Sequence, residues 1–278
     1  MTTITTTASR QNLLGRTARD ITVITWRNLV RVVRLPQLLA FSTIQPVIFM
    51  LLFNYVFGGA IVLALPPAAA GSYINWLVPG LLAQFALFSG GQTAAGLTED
   101  LSQGVIDRFR SLPMARSAVL AGRTLSDLIR SAFILALLLG VGFLIGFRPQ
   151  TNLAGVLGAL ATGLAFGYAW SWVMATVGLL VRTAESIQAA VYLVIFPLAF
   201  ASGVFVPTEM MPAWLQVFTE HQPVTVVTNA LRGLILGVGA LPVGQTVSGQ
   251  VALALLWSAA IMAVFAPFAI RLYRRSVS

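Results

Sequence analysis

The sequence predicts an all-α integral membrane protein: six transmembrane helices, an N-terminal amphipathic interfacial helix, and a re-entrant external helical pair between spans five and six. Three observations predict it. Of 278 residues, 58% are hydrophobic and 9% charged, against roughly 25% charged in a soluble domain. Nothing ionisable at neutral pH occurs between Arg34 and Glu99, or between Arg232 and Arg271. Both stretches exceed the roughly 20 residues that cross a hydrocarbon core as helix. The arginines, finally, gather at alternate ends of the apolar stretches instead of forming one patch.

Residues 1–36 read as a cytoplasmic arm. The first twelve are polar and threonine-rich, so no cleavable signal peptide is expected. From Gly15 to Arg34, at about 100° per residue, Arg16, Arg19, Arg27, Arg31 and Arg34 share one arc. Ile21, Trp26, Leu29, Val32 and Val33 occupy the opposite side. Such a helix lies along a membrane surface, with its arginines toward anionic lipid or a cytoplasmic partner. Pro36 ends it and turns the chain into the first span.

Residues 37–278 read as a single transmembrane domain with spans at 37–58, 75–97, 125–147, 152–181, 186–206 and 249–270. The uncharged part of the third is short, so its first turns are expected to emerge from the membrane carrying Asp127 and Arg130. The fourth is long enough to tilt. Residues 207–248 are too apolar for an ordinary loop. Pro207, Pro212 and Pro223 divide them into short helices, Thr208 to Thr219 and Val224 to Leu236. Neither can span a bilayer, which predicts re-entrant or interfacial helices shielded by protein. Glu209, Glu220, His221 and Arg232 are the ionisable groups there, either anchoring and pairing at the interface or gating an external exit.

Charge sets the orientation. With both termini cytoplasmic, fifteen arginines fall inside: those of the arm, Arg108, Arg110, Arg116, Arg123 and Arg130 after span two, Arg182, and the C-terminal three. Arg148 and Arg232 alone fall outside. The expected location is a bacterial plasma (inner) membrane, and the net charge of +9 follows topology rather than marking nucleic acid as a partner.

Several chemistries are excluded. All 17 basic residues are arginine, in keeping with codon usage in a GC-rich genome, and a GxxxxGK[ST] phosphate loop needs a lysine. The chain therefore has no ATP-binding cassette. Cysteine is absent and His221 is the single histidine, which excludes thiolate chemistry, Cys-based metal sites and an HExxH zinc motif. No GxSxG elbow occurs. No catalytic, cofactor or metal site is expected in this chain.

Four stretches resemble a known family. They are QPVIFMLLFNYVFGG (Gln45–Gly59), YINWLVPG (Tyr73–Gly80), DLSQGVIDRFRSLPMARSAVLAGR (Asp100–Arg123), and PLAFASGVFVPTEMMPAWL (from Pro197) with HQPVTVVTNALRGLILG (from His221). Their pattern and order are similar to the membrane subunits of type-2 ABC exporters, most closely the daunorubicin/doxorubicin-resistance permeases. The resemblance implies a six-span subunit that pairs with a second membrane subunit, identical or related, and sits on two copies of an ABC ATPase that bind ATP and Mg. It also implies the external helical pair. The first external loop, AIVLALPPAAAGS (Ala60–Ser72), departs from the family in being apolar.

A permease without its own ATPase receives work through a cytoplasmic contact. The substantial cytoplasmic loop is Thr98–Gly122, where Glu99, Asp100, Asp107, Arg108, Arg110 and Arg116 alternate with apolar residues including Phe109. A short helix bracketed by Gly104 and Pro113 is expected to seat in the ATPase as a coupling helix. Glu185 with Arg182, on the shorter cytoplasmic turn, is a lesser candidate. The acidic residues all fall at predicted span ends or loops, which favours external power over ion coupling. Candidate path residues are Asn54, Tyr55, Gln84, Phe85, Phe88, Gln92, Tyr192 and Phe196, with Tyr168, Trp170, Trp172 and Gln188 behind them. Such a lining suits a hydrophobic or amphipathic substrate, a drug, an antibiotic or a lipid. An ion-coupled secondary transporter or channel is the alternative.

Overall fold

The computed structural model describes residues 10–34, 36–65, 72–102, 116–181 and 183–276, and they are helical almost throughout. α1 (Arg10–Arg34) is followed by α2 (Pro36–Leu52). The helical path of α2 continues through a π-helical turn (Phe53–Phe57), one α turn (Gly58–Ile61) and a 3-10 turn (Val62–Ala64). Then come α3 (Tyr73–Ser102), α4 (Arg116–Ile145), α5 (Leu153–Leu180), α6 (Ala184–Phe200), α7 (Ala213–His221), α8 (Pro223–Leu236) and α9 (Val247–Ser276).

Five stretches are long and apolar enough to cross a membrane: Thr43–Ile61, Tyr73–Glu99, Ala121–Ile145, Leu153–Leu180 and Val247–Tyr273. They correspond to predicted spans one, two, three, four and six. The apolar helix at the expected fifth span, 186–206, is shorter than expected: α6 ends at Phe200 after 17 residues, about 25 Å of helix at 1.5 Å per residue. Pro197 lies inside its last turns and has no N–H to continue the backbone ladder. The chain then runs irregularly to Pro207.

α3 is the central helix, and α5 lies against it through small residues. Ala86, Gly90 and Ala94 recur every four positions along α3. A Cβ placed on Gly167 would stand 3.0 Å from the Ala86 carbonyl oxygen, and one on Gly178 would stand 2.8 Å from that of Ala94. Backbones this close are what small residues permit between membrane helices, where packing replaces the hydrophobic effect. Thr98 fastens the contact by donating to the carbonyl of Gly178 (3.1 Å). α8 and α9 complete this block, with all but two residues of α8 buried against α3, α5 and α9.

Turns follow local chemistry. Gly146, at φ 112°, adopts the left-handed conformation that ends α4, and Phe147 N donates to Gly142 O (2.8 Å). The Arg148 guanidinium donates to the carbonyls of Phe143 and Phe147, neutralising the carboxyl end of the helix. The Asn152 side chain accepts from Gly155 N at the start of α5.

α1 forms as expected and also docks on α4. Its contact with α4 is made by Ile24 and Thr25, both buried. Thr25 donates to the carbonyl of Gly122 (3.1 Å), and Gly122 has no side chain to hold Ile24 away. Trp26, on the apolar side expected to face the membrane, is 68% exposed. The side that meets α4 lies about one residue around the helix from it, set by the contact of Ile24 on Gly122.

Candidate translocation face and outer cap

One face of the bundle carries two matching stripes. On α2 and its continuation, Gln45, Phe49, Phe53 and Phe57 recur every four residues. On α6, Gln188, Tyr192, Phe196 and Phe200 do the same. Four-residue spacing puts each set on one side of its helix. Between them, α3 presents Phe85, Phe88 and Gln92. The rings form a closed circuit of contacts: Phe49 with Phe85, Phe85 with Phe88, Phe88 with Phe196, Phe196 with Phe200, Phe200 with Phe205, Phe205 with Phe53, and Phe53 with Phe49. The tightest is Phe53 on Phe205, stacked with centroids 4.1 Å apart. Each stripe ends in a glutamine, and the three glutamines lie toward the end of the bundle on which α1 docks.

At that polar end lies a cavity of about 280 Å³ among α2, α3, α4 and α6, lined by Gln45, Gln92, Gln188, Arg130, Phe88, Tyr192 and their neighbours. Asp127 and Arg130, in the first turns of the third span, are enclosed by neighbouring helices. Asp127 is buried against α3, takes a hydrogen bond from Thr93 (2.7 Å), and stands 3.8 Å from Arg123 and 3.7 Å from Arg130. A carboxylate between two guanidinium groups is a charge already compensated.

The predicted path residues divide. Phe85, Phe88, Gln92, Gln188 and Tyr192 line the cavity and Phe196 continues the ring circuit. Tyr55 is exposed and Asn54 half-buried on the α2 continuation. Gln84 is buried in the core, as are Trp170 and Trp172, while Tyr168 packs beside Trp172. Gln45, Phe49, Phe53, Phe200, Phe205 and Arg130 were not singled out, although the repeat of glutamine and aromatics at every fourth position was available as a signal. Of the coupling residues, Asp107, Arg108, Phe109 and Arg110 lie outside the described residues. Glu99 and Asp100 sit near the carboxyl end of α3, and Arg116 opens α4.

At the opposite end, side chains hold the irregular chain after α6. Thr219 and Gln222 donate to the carbonyl of Ala201, Thr225 accepts from Gly203 N (3.2 Å), and Tyr73 donates to Phe205 O (2.9 Å). Arg232, 1% exposed, donates to Val204 O (2.8 Å) and, over longer bonds of 3.4 Å, to Trp76 O. Its Cζ lies 3.4 Å from the centroid of the Trp76 ring. α8 is too short to span, and burial pushes its Arg232 down to about 9, with Tyr73 and Glu209 acting in the opposite sense. The guanidinium still carries its proton at neutral pH. Glu209, Glu220 and His221 are exposed, and His221 Nδ1 donates to Val217 O within its own helix. The four expected gate residues thus separate into one buried cation and three surface groups. The reason is local: Arg232 lies on α8, the shielded helix, and Glu220 and His221 on α7, which exposes Trp214, Val217 and Phe218.

The ABC-2 type transporter family matches residues 19–236. The chain belongs to this family. It is 34% identical over 249 residues to the daunorubicin resistance ABC transporter permease protein DrrB1 of Streptomyces coeruleorubidus, covering 90% of this chain and 84% of that one. The probable doxorubicin resistance ABC transporter permease protein DrrC of Mycobacterium tuberculosis is 28% identical over 236 residues, covering 84% and 81%. The inner membrane transport permease YadH of Escherichia coli is 22% identical over 207 residues, covering 74% and 79%. As an ABC-2 permease the chain is the multi-pass transmembrane subunit of an ABC exporter, and it works with an ABC ATPase and a membrane subunit. The family match extends across α2, α3, α6 and the outer cap, so the ring circuit and the Arg232 site both fall within it.

Proposed function

We propose that this permease forms, with an identical or related second membrane subunit and two copies of an ABC ATPase, an exporter of hydrophobic or amphipathic molecules. It lies in a bacterial inner membrane with both termini cytoplasmic. It hydrolyses no ATP itself; ATP and Mg belong to the partner. Work enters through the loop containing Asp107, Arg108, Phe109 and Arg110, flanked by Glu99, Asp100 and Arg116. Cargo travels along the face built from α2, α3 and α6, and the cap around Arg232, with Glu209, Glu220 and His221 at its surface, closes the outer end.

The observation that carries this reading is the aromatic face itself. Tyr55, Phe57, Tyr192, Phe196 and Phe200 are each at least 40% exposed and contiguous with a polar-ended cavity. A second subunit placed against this face encloses an apolar path with amide groups at one end, as small-molecule sites combine apolar walls with a few polar groups. The drug-resistance names of the relatives point to the same cargo class.

The test is reconstitution with the cognate ATPase in sealed vesicles. ATP-dependent movement of an aromatic amphiphile, abolished by a hydrolysis-dead ATPase, is expected. Movement by the permease alone, driven by a proton or salt gradient, would sink the proposal.

A further inference from the structure

We propose that Arg130 is an anion-recognition group at the inner end of this path, and that the cargo joins an aromatic or apolar body to a carboxylate, sulfonate or phosphate. This rests on the reading of the α2, α3 and α6 face as the path.

The argument starts from unsatisfied donors. A guanidinium has five N–H groups and no acceptor. Arg130 gives one long bond, Nη1 to Gln92 Oε1 at 3.4 Å. Its Nη2 stands 3.7 Å from Asp127, an ion-pair distance too long for a hydrogen bond, and both Nε and Nη2 are buried without an acceptor. Asp127 cannot turn fully to it, because its other oxygen holds the Thr93 hydroxyl at 2.7 Å and lies 3.8 Å from Arg123. Buried donors left unmade are costly, and a charged side chain kept within a membrane helix marks function.

The surroundings say what the guanidinium meets where its side chain lines the cavity. Arg130 is the one charged residue among the described residues lining the cavity, and Gln45, Gln92 and Gln188 surround it with amides able to donate. A planar guanidinium matches carboxylate, sulfonate and phosphate geometry. Phe88 and Tyr192 adjoin it, where the aromatic stripe begins. At about 280 Å³ the cavity takes one end of a molecule, leaving the rest on the rings.

Two probes isolate the anionic group: 8-anilinonaphthalene-1-sulfonate and N-phenyl-1-naphthylamine, which share their rings and differ by the sulfonate. Binding to the permease–ATPase complex in phosphatidylcholine nanodiscs is measured above empty discs, alongside ATP-driven transport in vesicles. The wild type is expected to prefer the sulfonate by about tenfold or more, the scale of a charge-assisted hydrogen bond. Arg130→Gln should erase that preference while leaving the neutral probe within about twofold. Arg130→Lys, which keeps charge but loses the fork, should retain part of it and carries the test if the glutamine variant fails to assemble. A preference equal in wild type and variants, or a wild-type preference for the neutral probe, overturns the proposal. Absence of ATP-driven transport with the Arg130-dependent binding intact would instead sink the path reading. Phosphatidylglycerol discs separate the sources: competition with the sulfonate probe in wild type, absent in Arg130→Gln, assigns the anion to lipid, and no competition assigns it to a free amphiphile.

Discussion

Replacing Arg232 by methionine removes the one cation buried in the outer cap while keeping a long flexible side chain. The Val204 carbonyl loses its 2.8 Å donor inside a segment with no regular backbone ladder. Leaving such an acceptor unsatisfied costs about 1–3 kcal/mol. The contact with Trp76 at 3.4 Å is desolvated, and losing it adds about 2 kcal/mol. Against this, a methionine avoids the desolvation of a buried charge, so the net cost is about 2–4 kcal/mol. The loss is local, because Arg232 ties together α8, α3 and the chain after α6 but no other part of the bundle. Amide hydrogen exchange reads local opening directly. Residues 201–207 should exchange roughly 30 to 700 times faster in Arg232→Met, at about 1.4 kcal/mol per tenfold, while α5 and α9 keep their protection. Arg232→Lys should fall between, since an ammonium cannot span two carbonyls and stack on the ring together. Unchanged exchange at 201–207 in the methionine variant would refute the claim that this guanidinium holds the cap.

Asp127→Asn removes the carboxylate 3.7 Å from the enclosed Arg130 and should lower stability by about 2–4 kcal/mol, seen as a lower thermal unfolding midpoint of the purified protein. Gly178→Val drives a side chain into the Ala94 backbone, 2.8 Å from where its Cβ would stand, and should cost about 1–3 kcal/mol with the same readout. Alanine at Asp107, Arg108 and Phe109 together should abolish co-purification of the ATPase without changing the yield of the permease; unaltered recruitment would reject the coupling assignment. The chain has no cysteine, so cysteines introduced at Tyr55 and Leu193, 72% and 76% exposed, are its only thiols. They should crosslink two membrane subunits if the aromatic face is buried between them.

Span positions were legible because they depend on long averages of hydropathy that neighbouring helices cannot overrule. The short α6 was less so. Its apolar composition runs on to Val206, and side-chain hydrogen bonds from Thr219, Gln222, Thr225, Arg232 and Tyr73 explain how the chain leaves helix early without stranding polar groups. Those partners lie about 20 to 30 residues downstream or, for Tyr73, far upstream, beyond any local pattern. The partners of Asp127 and Arg130 were hidden for a related reason. A carboxylate and an arginine near the start of a span read as a helix end, and nothing local says that Thr93 and Gln92, on another helix, receive them. The aromatic stripes were partly legible: Phe85, Phe88, Tyr192 and Phe196 stood out by residue type, but the same criterion also picked Trp170 and Trp172, which lie in a stretch of α5, Ala169 to Thr176, buried on every side. Periodicity, more than residue type, distinguished lining from core.

The packing also explains where this permease is able to change shape. α3 and α5 meet through small residues, as does α5 with α8 at Gly155, and a shift there means backbone collision. α2 and α6 flank α3 through large rings instead, and their outer halves are the least regular of the described helices: α2 loosens into the π-helical turn Phe53–Phe57 and α6 unwinds after Phe200. Single-turn π segments tend to mark functional positions, and here the two irregular stretches touch, Phe53 stacked on Phe205. A helix already lacking part of its ladder bends at lower cost than one with every bond made. If the ATPase works through the loop between α3 and α4, as proposed above, its stroke meets the closely packed α3–α5 contact first and is relieved at the Phe53–Phe205 contact, beside the chain that Arg232 holds.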